Sequence, residues 1–125
     1  ARSQALAGLA RAVLDDPAIF APKADLASAI SALKALPGIG EWTAQYIALR
    51  ELREPDAFPQ ADVALLRAMA DETGQRPSPS DLLTRAEAWR PWRAYAAQHL
   101  WAHDAAQGKP AKPSAKAKGD DRQAA

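Results

Sequence analysis

The sequence contains no cysteine, a single methionine and only two phenylalanines and two tyrosines in 125 residues. The missing cysteine excludes disulfides, Cys-ligated zinc and iron–sulfur clusters together. β-Branched residues are few and scattered, and no stretch alternates apolar and polar with period two, so a sheet protein is excluded as well. No apolar run approaches membrane-spanning length, and no signal peptide precedes the first helical pattern. A soluble cytoplasmic protein is the expectation. An excess of either charge is also missing, because 16 Lys and Arg against 15 Asp and Glu leave a formal net charge of only +1. It is unevenly placed: the Lys-rich end from Gly108 onward, "GKPAKPSAKAKGDDRQAA", carries a balance of +3 and leaves residues 1–107 at −2. A general cationic surface therefore cannot hold a polyanion on the main body.

What is present reads as helix. Much of the apolar fraction is alanine, which favours helix but buries little area. Leucine, isoleucine, valine and four tryptophans must supply the core. The class is all-α. Ser3 to Asp15 places Leu6, Leu9, Ala10, Val13 and Leu14 on one helical face. Asp25 can cap a helix to Leu36 that buries Leu26, Ile30 and Leu33, with Pro37 as its stop. Helices are expected from Glu41 to Leu52 and from Val63 to about Glu72. A further one, capped by Ser80 or Asp81, should run to Trp89, and a last one should start at Pro91 and run to about Ala106. Residues 108–125 show no apolar stripe and are expected to be a disordered tail beyond a domain of residues 1–107. The start "ARSQALAGLARAVLDD", already helical and without an initiator Met, suggests a fragment of a longer chain.

The stretch "LPGIG", within residues 33–50, sets two glycines two residues apart between helical segments. Gly38 and Gly40 permit positive φ and close backbone approach, and Ile39 can pin the turn from inside. Amides from Gly40 to Thr43 then open a helix with unsatisfied donors, where a phosphate needs no lysine. A tight αα-corner with no ligand explains the same residues.

Three blocks in order, "LPGIGEWTAQYIALR", "DAFPQADVALLRA" and "AEAWRPWRAYAAQHLW", resemble the helix-hairpin-helix DNA glycosylases, in particular the C-terminal portion of the DNA-3-methyladenine glycosylase II branch. The resemblance runs from about Leu33 to Trp101. It implies a base-excision enzyme that flips alkylated purines such as 3-methyladenine out of double-stranded DNA and hydrolyses the N-glycosidic bond. It implies that Gly38, Gly40 and Thr43 grip the DNA backbone. It also implies that the carbonyls of Lys34, Leu36 and Gly38 can hold a monovalent cation, with no cofactor required. A monomeric bacterial protein working at the nucleoid is expected.

Asp62 precedes an apolar helical run and reads first as an N-cap. A carboxylate there also faces the favourable end of the helix dipole, and it matches the family's catalytic aspartate. Breaking the glycosidic bond builds positive charge on the sugar, which a fixed carboxylate stabilises while orienting the attacking water. A helix from Glu41 carries the chain roughly 18 Å away, and the loop that follows spans up to about 30 Å, so Asp62 can return beside Trp42. Asp56 competes for the role but reads as a turn residue. Trp42 and Tyr46 share a face at i, i+4, and Trp101 lies on the last helix. They are either core or a shelf for a flipped base, whose cationic methylated form an indole face attracts. In lyase-competent relatives position 42 is a lysine that forms a Schiff base. Tryptophan there implies a monofunctional enzyme.

Other signals are weaker. His99 and His103 have zinc-compatible spacing without a third ligand. Trp89 and Trp92 read as packing between helices, Arg90 and Arg93 as solvated charge. The alternatives are a non-catalytic helix-hairpin-helix module that only binds DNA and a structural helical domain.

Overall fold

A computed structural model describes residues 1–108. The tail expected over residues 108–125 lies, apart from Gly108, outside the described residues. Six α-helices follow one another: α1 (Arg2–Asp15), α2 (Leu26–Lys34), α3 (Glu41–Arg50), α4 (Val63–Ala68), α5 (Pro79–Ala86) and α6 (Arg93–Gln107). Single 3-10 turns at Pro17–Phe20 and Glu87–Trp89 complete the helical elements, and the described residues contain no strand.

The core shows why so alanine-rich a chain folds. Ala44 and Ala48 on α3, Ala86 on α5 and Ala97 on α6 are fully buried, and their small side chains let backbones approach closely. The volume between them is filled by Leu33, Leu65, Leu82 and Phe58, each at most 1% exposed. Burial of each of these larger side chains stabilises the fold by about 1.5–3 kcal/mol. Phe58 comes from the loop between α3 and α4 and meets Trp89 edge to face at 6.0 Å. α2 packs on α3, and α4 packs on α6.

Several boundaries differ from the sequence expectation, each for a local reason. α4 stops at Ala68 because Asp71 accepts the Thr73 and Gln75 amides at 2.9 and 3.0 Å, which draws the chain into a turn that Gly74 completes at φ +83°. α5 is capped by Ser78 rather than Ser80 or Asp81. Pro79 follows it, and Asp81 closes a reciprocal capping box. α6 begins at Arg93 rather than Pro91, since the Ala94 amide is taken by the Pro55 carbonyl at 2.9 Å. The apolar stripe of α1 is the largest departure. No residue of that helix is buried, and Leu6 and Leu14 are 68% and 82% exposed.

Candidate active site

α3 starts where the hairpin ends. Gly38 has φ +81°, a conformation that disfavours any side chain, and a Cβ placed on it would lie 2.7 Å from the Ala5 Cβ of α1. Gly40, expected to share the positive φ, instead has φ −89° as the N-cap of α3 and has nothing within 4 Å of the space a Cβ would fill. The two glycines thus do different work: the first makes the turn and admits α1, the second leaves open space at a helix start. Ile39 donates its amide to the Leu36 carbonyl at 3.2 Å and packs half-buried against the core. The amides of Gly40, Glu41, Trp42 and Thr43 donate to no acceptor among the described residues, and the first intrahelical bond is Ala44 to the Gly40 carbonyl at 2.9 Å. Glu41 turns aside from that row of donors to Lys34, 2.7 Å away, and Gln45. The Lys34 ammonium, followed by the Gln45 amide, holds the Glu41 carboxyl below its ordinary range.

Along α3, Trp42 and Tyr46 are one turn apart and stack at 5.1 Å with their planes 14° from parallel. Trp101 of α6 meets Tyr46 edge to face at 6.0 Å and 68°. The three aromatics named from the sequence therefore form one group. Trp42 remains 41% exposed, so within the described residues the group is an open shelf rather than an enclosed pocket.

Asp62 sits at the edge of this shelf. Its Oδ1 caps α4 by accepting the Ala64 and Leu65 amides at 2.9 and 3.1 Å, and also accepts the Trp101 indole N–H at 3.1 Å. Its Oδ2 accepts the Trp42 indole N–H at 2.9 Å. Oδ1 is saturated by three donors while Oδ2 has one, which leaves Oδ2 with capacity to accept from a further group. Capping and contact with both indoles are thus one arrangement.

The loop that returns Asp62 to α3 is clamped on both sides. Gln45 of α3 accepts the Phe58 amide at 3.1 Å, and the Ala48 carbonyl accepts the Glu54 amide at 3.0 Å. On the α6 side Asp56 receives Arg93 Nε at 2.9 Å and Arg90 at 2.6 Å. Asp56 is therefore an ion-pair hub for Arg90 and Arg93. Arg93 is only 5% exposed, which corrects its reading as solvated charge: a buried guanidinium requires a paired carboxylate. The two arginines three residues apart in "WRPWR" were the available signal, but nothing local names Asp56 as their partner. Trp89 packs inward on Phe58, whereas Trp92 is exposed and meets Tyr95 edge to face at 5.9 Å. His99 and His103 lie on exposed positions of α6.

Arg50, which sequence reading did not single out, extends the shelf. Its Cζ lies 5.5 Å from the ring centroids of both Tyr46 and Trp101. Its spacing of four from Tyr46 on the same helix was the signal.

Comparison with known proteins gives relatives of one kind. The chain is 41% identical over 101 residues to a probable bifunctional transcriptional activator/DNA repair enzyme AlkA of Mycobacterium tuberculosis, covering 81% of this chain and 20% of the relative. It is 36% identical over 100 residues to DNA-3-methyladenine glycosylase 2 of Escherichia coli, covering 80% of this chain and 34% of the relative. It is 38% identical over 66 residues to a DNA-3-methyladenine glycosylase of Bacillus subtilis, covering 51% and 22%. The chain thus spans about a fifth to a third of the length of these curated relatives. No family model matches it, and no solved structure does.

Proposed function

The chain belongs to the helix-hairpin-helix DNA glycosylases, to the C-terminal region of the DNA-3-methyladenine glycosylase II branch, and from that premise we propose that it forms the DNA-gripping and acid-bearing part of an alkylation-repair glycosylase. The substrate is double-stranded DNA carrying alkylated purines. The observation that carries this reading is the contact of one carboxylate, Asp62, with the indole N–H groups of both Trp42 and Trp101.

In the proposed reaction the extruded base rests against the Trp42, Tyr46 and Trp101 shelf. As the glycosidic bond breaks, its electron pair leaves with the base, and the positive charge that develops on the sugar faces Asp62 Oδ2. A water then adds its oxygen to the anomeric carbon and gives its proton to Asp62 Oδ2, which passes it to solvent. A cationic alkylated purine needs no strong acid to depart, which suits a site whose placed ionisable group is a carboxylate. Four donors hold Asp62 in one orientation before substrate arrives, so little reorganisation is required. The open amides at Gly40 to Thr43, with Gly38, grip a backbone phosphate without a cationic side chain. The carbonyls of Lys34 and Gly38 accept no backbone amide among the described residues, while that of Leu36 takes Ile39. This donor set fits a monovalent cation held by Lys34, Leu36 and Gly38, which would supply positive charge near the phosphate. Trp42, with no amine to attack the sugar, makes the enzyme monofunctional.

A second reading, a module that only binds DNA, is favoured by the open state of the shelf. The complete protein containing this chain, incubated with methylated duplex DNA, separates the two. Release of free alkylated base with intact, abasic strands supports the glycosylase, whereas binding without release supports the module. Strand cleavage trapped by borohydride would contradict the role of Trp42.

A further inference from the structure

The stacked shelf already carries a cation. Tyr46 and Trp101 stand 68° apart and form a corner, and the Arg50 guanidinium lies 5.5 Å from each ring centroid. None of the ion pairs among the described residues involves Arg50, so the rings rather than a carboxylate fix its position. Two aromatic rings meeting around a positive charge are the arrangement by which proteins hold methylated cations. A purine alkylated at N3 or N7 is a flat cation of the same character as a guanidinium.

We infer that Arg50 is a displaceable occupant of the shelf: it fills the corner between Tyr46 and Trp101 in the ligand-free protein and must leave when a cationic base enters. The inference rests on the base-holding role of the shelf proposed above. Its consequence is specific. Displacement lowers the apparent affinity for every base by one common factor, because the same contact is lost whichever base arrives. The displaced guanidinium stays tethered to α3, so its charge also repels a cationic base more than a neutral one. Removing the charge from position 50 should therefore tighten both classes, and the cation more. Loss of two exposed cation–π contacts corresponds to a gain of order tenfold.

The test uses the complete protein containing this chain and two small probes: 3,9-dimethyladeninium, a fixed cation, and neutral 9-methyladenine. In the wild-type protein the Arg50 side-chain protons should show upfield ring-current shifts by NMR, and saturating cation should relieve them. Arg50→Gln should bind the cation about tenfold more tightly and the neutral probe more tightly by a smaller factor, with circular dichroism and thermal melting confirming that the variant folds. Unchanged or weakened binding of both probes by Arg50→Gln, while wild type binds them, overturns the inference and leaves the base-holding role standing. So does a cation that binds without moving the Arg50 resonances. If neither probe binds either folded protein, the shelf is not a base site, and both the inference and its premise fall.

Discussion

Asp62 and Trp101, 39 residues apart, are joined by a 3.1 Å hydrogen bond from the indole Nε1 to Oδ1, the same oxygen that caps α4. That shared oxygen ties the start of one short helix to the middle of another and fixes where the second carboxylate oxygen points. Removing the side chain should therefore cost more than a cap. Asp62→Ala loses the cap and leaves the half-buried Trp101 donor without its partner, a loss of about 2–4 kcal/mol in urea unfolding. Asp62→Asn keeps an acceptor for the cap but turns its amide N–H₂ toward one indole N–H. It should lose less, about 1–2 kcal/mol. Equal stability of both variants with wild type would show that the indoles do not hold Asp62 in solution.

The two hairpin glycines should separate. Gly38→Ala places a methyl in a left-handed backbone and against Ala5, and should cost about 1–2 kcal/mol or more. Gly40→Ala meets no atom and needs no unusual φ. Its stability should change by under about 1 kcal/mol, while duplex DNA binding weakens because the added methyl intrudes where a phosphate approaches. Parallel thermal melts and fluorescence-anisotropy titrations check this, and equal stability losses for the two variants would argue against the division of roles.

Partly buried Asp56 and buried Arg93 form the ion pair that anchors the Asp62 loop to α6. Asp56→Ala leaves the buried Arg93 guanidinium with only the Glu87 carboxylate, 3.6 Å away, and should destabilise by about 3 kcal/mol. The double variant Asp56→Leu, Arg93→Met removes both charges and should recover a large part of that loss. A double variant no better than the single would place the effect in packing rather than in charge.

Acid sensitivity has an identifiable contributor. The Arg67 guanidinium bonds Asp104 on the facing helix at 2.6 Å and holds its carboxyl below the ordinary value of 3.8. A carboxyl with a depressed folded value binds fewer protons than its unfolded counterpart. It adds stability above the ordinary value and loses that contribution as pH falls through the folded one. Denaturant unfolding of Asp104→Asn between neutral pH and pH 2 should show a shallower decline than wild type. An identical decline would remove the pair from the acid response.

Helices and site came from the sequence to different extents. Asp25, Gly40 and Asp62 start their helices where read, because capping is decided within a few residues. The end of α4 and the true cap of α5 were misplaced, since an Asx-type turn at Asp71 and a capping box at Ser78 compete with equally plausible neighbours. Trp42, Tyr46 and Asp62 were legible from helical spacing together with the family resemblance. The pairing of Asp56 with Arg93 and the placing of Arg50 between two rings depend on where distant segments meet, which spacing does not encode. The exposed stripe of α1 illustrates the same limit: periodicity marks an apolar face but not what covers it.

The most direct test of the central claim is single-turnover release of alkylated purine from methylated duplex DNA by the complete protein containing this chain, wild type against Asp62→Asn. The account predicts that the variant releases base at least about 100-fold more slowly while binding duplex DNA within about threefold of wild type, since the hairpin amides are untouched. Release at the wild-type rate by a variant that binds DNA normally would contradict it.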